Sequence, residues 1–186
     1  MKYYHGSQNP NIEKLTTDNS RDGFAYATTN RLVALTYAVK CFPNLFSTQN
    51  GKECFYELKP NLFEKMIKGK KAYIYTLEDK NFEPVEQSKM CGHQGCFKIN
   101  QDVNVVEKEE VADAYAALLK YQKSGEFNLI RYNELDPKIR DAMTNELKKC
   151  IQTLSEEKLN DPNSFWKLFL DNPTKSKADL NKTKDE

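Results

Sequence analysis

The sequence predicts an α+β protein, with strands in its first two thirds and helices after them. Three observations predict it. Short runs rich in Tyr, Phe, Ile and Val recur up to about residue 106. Beyond them the apolar residues shift to helical spacing. Helix caps stand between and after the runs. With 186 residues the chain suffices for one domain with a sizeable core and some additional helix.

In chain order, Lys2–His5, Gly23–Ala27, Glu53–Leu58, Ala72–Thr76, Cys96–Ile99 and Val103–Val106 read as strands. Asn30 is placed to cap a helix over Arg31–Lys40, its side chain accepting from an otherwise orphan backbone N–H. Asn61, Glu64 three residues on and Gly69 bracket a second, short helix. Val111, Ala114, Tyr115 and Leu118 repeat at helical spacing within a helix over Glu109–Gln122, and Gly125 offers its stop. Asp136-Pro137 pairs an N-cap with proline at the first helical position and opens a helix to about Leu154. Asp161-Pro162 repeats the device before Phe165, Trp166, Leu168 and Phe169, a cluster expected to dock on the body of the protein. From Pro173 onward the chain is charged and poor in large apolar groups, and is expected to be disordered.

Composition narrows the function classes. Lys plus Arg number 28 against 27 for Asp plus Glu, and a nucleic-acid partner usually requires a basic excess. The run Lys65, Lys68, Lys70, Lys71 is the best local basic patch, although a solvated helix end and turn accounts for it better. No run approaches the ~20 apolar residues of a membrane span, and Met1–Gly6 lacks the apolar stretch of a signal peptide. Five cysteines, an odd number scattered through the chain, do not form a disulfide framework. A reducing cytoplasm is the expected compartment.

Three pieces near the N-terminus carry chemistry. Tyr4-His5-Gly6-Ser7 is a strand ending in histidine and glycine. Phe24–Asn30 is an aromatic strand running into a helix cap, and Ala34-Leu35-Thr36-Tyr37-Ala38 lies on the capped helix. Taken singly, His5 is a packed or surface histidine, and Tyr26 and Tyr37 are core aromatics. Taken in order, with the two tyrosines eleven positions apart, they resemble the histidine–tyrosine–glutamate class of ADP-ribosyltransferases. That class includes diphtheria toxin and the poly-ADP-ribose polymerases.

The resemblance covers residues 2 to about 40 clearly and the strands to about Val106 in outline. It implies an ADP-ribosyltransferase-like split β-sheet core with flanking helices over 1–125, a helical C-terminal extension over 126–172 packed on it, and a disordered tail over 173–186. It also implies that NAD is the substrate and that ADP-ribose passes to a protein or small-molecule acceptor as nicotinamide leaves. His5 would hydrogen-bond the ribose hydroxyls. Gly6 and Ala27 would lie against the nicotinamide end, where a glycine lets the backbone approach closely. Tyr26 and Tyr37 would sandwich the nicotinamide ring.

The family glutamate, which stabilises the oxocarbenium-like ribose, belongs at the start of a second-sheet strand. Here that strand opens near Cys96, with Gln94 and Cys96 in the neighbourhood. Glu83, Glu86 and Glu107 are the nearby carboxylates, and Glu86 is assigned the catalytic role beside His5. Without such a charge the same fold would serve as an inactive NAD or ADP-ribose binding module, which is the alternative function. A relative that ADP-ribosylates a nucleic-acid base or terminal phosphate is a third possibility, marked by a basic groove. The segment Cys91-Gly92-His93-Gln94-Gly95-Cys96 offers two thiols and an imidazole, three zinc ligands in six residues. It lacks a fourth ligand in sequence, so no metal is expected.

Overall fold

The computed structural model describes residues 1–18, 22–39, 45–78, 80–86, 92–151, 154–161 and 164–170. The disordered tail expected over 173–186, together with Lys40, Cys91 and Pro162, lies outside them. The chain divides into two compact units, one of Met1–Phe55 with Ile67–Leu129 and one of Tyr56–Met66 with the chain from Ile130 onward. The protein is mixed α and β, with a large antiparallel sheet and, among the described residues, six helices.

The strands are β1 (Tyr3–Ser7), β2 (Lys14–Leu15), β3 (Ala25–Thr28), β4 (Phe46–Gln49), β5 (Lys52–Tyr56), β6 (Ala72–Leu77), β7 (Glu83–Val85), β8 (Cys96–Ile99), β9 (Val103–Val111) and β10 (Phe127–Ile130). Seven form one sheet in the order β2-β9-β6-β1-β3-β8-β7, every neighbouring pair antiparallel. A separate sheet has the order β10-β5-β4. β1 is central, with His5 opposite Tyr75 and Gly6 opposite Ile74 on one side and Tyr4 opposite Thr28 on the other.

Tyr3, Ala25, Ala27, Tyr75, Leu77 and Val103 belong to one buried cluster on this sheet. Within it the Tyr3 ring stacks on Phe82 at 4.3 Å and meets Phe97 edge-on at 5.3 Å. Helix α1 (Arg31–Ala38) packs on β1 and β6 and buries Leu32, Val33, Ala34, Leu35, Thr36 and Ala38. So many buried positions on a single short helix leave it no fully polar face. Asn30 caps it as expected, its Oδ1 accepting from Leu32 N at 2.9 Å.

The expected Glu109–Gln122 helix is corrected at its start. Residues to Val111 continue β9, where Glu109 and Glu110 pair with Ile74 and Tyr73 of β6. The charged run there suggested helix, yet the strand is largely exposed and tolerates it. Arg31 grips Glu109 through both guanidinium Nε and Nη2, and Lys71 Nζ stands 2.8 Å from Glu110. Helix α3 (Ala114–Ser124) begins only after Asp113, whose carboxylate accepts from Tyr115 N and Ala116 N, and it ends at Gly125 in the left-handed region.

The second unit holds most of α2 (Leu62–Ile67), together with α4 (Pro137–Ile151), α5 (Glu156–Asn160) and α6 (Phe165–Phe169). Asn61 was expected to cap α2, but it sits at φ 60° and Glu57 is the acceptor for Phe63 N at 3.2 Å. Asp136 caps α4 through Lys138 N at 2.7 Å. At α6 the capping side chain is Ser164, which accepts from Lys167 N; Asp161 instead closes α5, a helix the sequence reading did not separate. Ser164 stands directly before the helix, in the position from which a hydroxyl reaches the third helical N–H. No helix among the described residues is long and apolar enough to cross a membrane.

Candidate functional site

His5, Gly6, Tyr26, Ala27 and Tyr37 all line one cavity of about 580 Å³ in the first unit, with Asp22, Thr28, Val85 and Cys96 among its other walls. That volume falls within the usual range of small-molecule sites. Three adjacent elements create it: β1 carries His5 and Gly6, β3 carries Tyr26, Ala27 and Thr28, and α1 carries Ala34 and Tyr37. Antiparallel pairing of β8 with β3 brings Cys96 opposite Thr28 and adds the far wall.

Tyr26 and Tyr37 are 40% and 46% exposed, and among the described residues they are the only aromatic side chains that stay so open. A core assignment for either is thereby overturned. Both are held at their hydroxyl ends. Tyr26 donates a short hydrogen bond to Asp22 Oδ2, and the Tyr37 hydroxyl lies 3.8 Å from Cys96 Sγ.

His5 is fixed by its backbone neighbour. Its Nδ1 is 3.0 Å from the Tyr26 carbonyl, which can only accept, so Nδ1 carries the hydrogen and Nε2 is left as an acceptor. Burial pushes the imidazole below its ordinary value of 6.5, outweighing the opposing effect of that hydrogen bond. A neutral ring with one acceptor nitrogen suits a ligand hydroxyl. Gly6 has a packing reason as well: a Cβ there would lie 1.7 Å from the Ala34 carbonyl oxygen. The strand and the helix therefore meet backbone to backbone.

The carboxylates are arranged otherwise than the sequence suggests. Glu86 is exposed, directly after the lining residue Val85, and is not among the described residues that line the cavity. Glu83 and Glu107 are exposed strand residues of β7 and β9. The carboxylate that does line the cavity is Asp22, which the sequence reading passed over; its only sequence signal is an acid four residues before Tyr26.

Behind Tyr37 lies a buried pair that sequence reasoning missed, having weighed His93 only as a zinc ligand. Glu53 on β5 is 2% exposed, its Oε2 2.6 Å from His93 Nδ1, and Thr48 donates a short hydrogen bond to its Oε1. Gln94 N donates to Thr48 Oγ1 at 2.8 Å, and the His93 ring lies 4.8 Å from that of Tyr37. The loop is also tied to β3, where Thr28 Oγ1 donates to Gly95 O at 2.8 Å. Of the three candidate ligands in the 91–96 segment, His93 thus binds Glu53 and Cys96 faces Tyr37. An acid directly before the apolar run Cys54-Phe55-Tyr56 was the available sign of Glu53.

Comparison with family models, with curated proteins and with solved structures finds no match to this chain.

Proposed function

We propose that the cavity of the first unit binds NAD and that the chain transfers ADP-ribose from it to a protein or small-molecule acceptor. The observation that carries this reading is the convergence of His5, Gly6, Tyr26, Ala27 and Tyr37 on one cavity, with both tyrosines open to it. The two separate sheets and the order His strand, Tyr strand, Tyr helix support an ADP-ribosyltransferase-like split-sheet core as part of the same proposal.

In this reading the nicotinamide ring lies against Tyr26 and Tyr37, each contact contributing ~1 kcal/mol beyond area burial. A ribose hydroxyl donates to His5 Nε2. The bond between ribose C1′ and the nicotinamide nitrogen breaks, and its electron pair leaves with nicotinamide. An acceptor nucleophile then attacks C1′ and gives up its proton. Positive charge develops on the ribose, and Asp22 is the carboxylate on hand in the cavity wall to stabilise it.

One observation favours a second reading, an NAD or ADP-ribose binding module without turnover. The wall where the resemblance expects a glutamate holds Cys96, and the buried Glu53 is bonded to His93. Calorimetric titration of NAD, with nicotinamide release followed in the same sample, separates the two. Saturable binding with release supports the transferase, and binding without release, even with a cell extract as acceptor source, supports the module. No binding would sink both.

A further inference from the structure

We propose that the second unit carries a separate binding cavity for a phosphorylated small molecule. The cavity has a volume of about 590 Å³ and is lined entirely by residues of that unit. Three cations from three segments converge on it: Lys59 from the turn after β5, Lys65 from α2 and Arg140 from α4. Asp141 is the one carboxylate among the lining residues described, and its side chain is 75% exposed, 4.0 Å from Arg140 Nε. The lining therefore carries two net positive charges.

Arg140 is held rather than free to follow solvent. Its guanidinium lies 4.4 Å from the centroid of the Tyr132 ring, and Nη1 donates to Tyr132 O at 3.5 Å. Arg131 pairs with Glu57 and Lys149 with Glu146, whereas Lys65 has no ion-pair partner among the described residues. The run Lys65–Lys71 that stood out in the sequence is accordingly split, Lys71 pairing with Glu110 in the other unit and Lys65 lining this cavity.

The chemistry selects the ligand class. A carboxylate brings one charge and is satisfied by a single guanidinium fork. A phosphate monoester brings nearly two charges and three strong acceptors, which a fork and two ammonium groups match. The Thr144 hydroxyl adds a donor, and Leu58 and Leu168 give the organic portion an apolar floor. This reading is independent of the NAD proposal.

The test titrates inorganic pyrophosphate, and citrate as a polycarboxylate control, into the full chain by calorimetry at low salt. Saturable one-to-one binding of pyrophosphate at about 0.1–1 mM is expected, with citrate markedly weaker. Lys65→Gln and Arg140→Gln each weaken pyrophosphate at least about fivefold. Because Lys65 and Arg140 both belong to the second unit, that loss separates this cavity from one in the first unit that holds the diphosphate of NAD. Lys65 is exposed on its helix, so its variant keeps the test available where loss of Arg140 disturbs folding. The proposal is overturned by an absence of saturation up to roughly 10 mM, by equal binding of citrate, or by affinity unchanged in both variants.

Discussion

Replacing Gly6 by alanine tests how the cavity is built. The added Cβ would lie 1.7 Å from Ala34 O, 2.6 Å from Ala34 C and 3.0 Å from Ala38 N, all of them backbone atoms. Reaching even 3.0 Å from the carbonyl oxygen requires α1 and β1 to separate by about 1.3 Å. The helix has no slack, because Leu32, Val33, Ala34, Leu35 and Ala38 are all 0–2% exposed. Overpacking relieved by side-chain shifts costs about 1–3 kcal/mol. Here only backbone can yield, so about 3 kcal/mol or more is expected, a fall in Tm of roughly 6–12 °C for a chain of this size. Thermal melts followed by far-UV circular dichroism measure it, while fluorescence of Trp166, the single tryptophan, reports the second unit separately. Gly125→Ala is the comparator. It sits at φ 82° with nothing within 4 Å of the added Cβ, so only conformational strain of about 1–2 kcal/mol applies. A Gly6→Ala protein that melts at or above the Gly125→Ala protein would refute the backbone-to-backbone contact.

The remaining predictions concern the site. Tyr37→Ala is expected to weaken NAD binding at least about tenfold, near 1.4 kcal/mol, and His5→Ala to abolish nicotinamide release; unchanged turnover in both would end the transferase proposal. Asp22→Asn should lower the release rate by about two decades, whereas Glu86→Gln leaves it nearly intact, and a reversal in single-turnover assays would return the role to Glu86. The unfolded chain binds a proton at His5 near pH 6.5 and the folded chain only at lower pH. Stability attributable to His5 is therefore full above that value and declines as pH falls toward the folded value. His5→Gln should flatten this slope in denaturant titrations. His93→Leu leaves the buried Glu53 without its histidine partner and should cost about 1–3 kcal/mol, checked by urea unfolding.

What the sequence disclosed was local. Asn30, Asp136 and Gly125 act over three or four residues, so their caps were readable without tertiary knowledge. The histidine strand, tyrosine strand and tyrosine helix lie within forty residues, and their convergence on a cavity was readable too. The extension of β9 through Val111 was not, because pairing with β6 more than thirty residues away overrides a charged run that looks helical. Cys96 was legible only as standing near the missing glutamate, since strand pairing, not spacing, brings it opposite Thr28, and Asp22 escaped because an acid four residues before a tyrosine is no signal by itself. Glu53 and His93 are 40 residues apart, and nothing in either neighbourhood names the other.

The buried carboxylate of Glu57 sets an order of assembly. Its partners besides Phe63 N are Arg131 Nη1 and Tyr132 N, 74 and 75 residues later in the chain. At ordinary rates of synthesis, about 4–15 s separate the emergence of Glu57 from that of Arg131. Until then a charged group destined for the interior has only one of its donors, and desolvating it early is costly. The 56–66 segment consequently waits as a solvated excursion between two parts of the first unit. A ribosome-arrested chain ending near Leu129 is therefore expected to leave its 56–66 segment open to proteases, which limited proteolysis of such a chain checks.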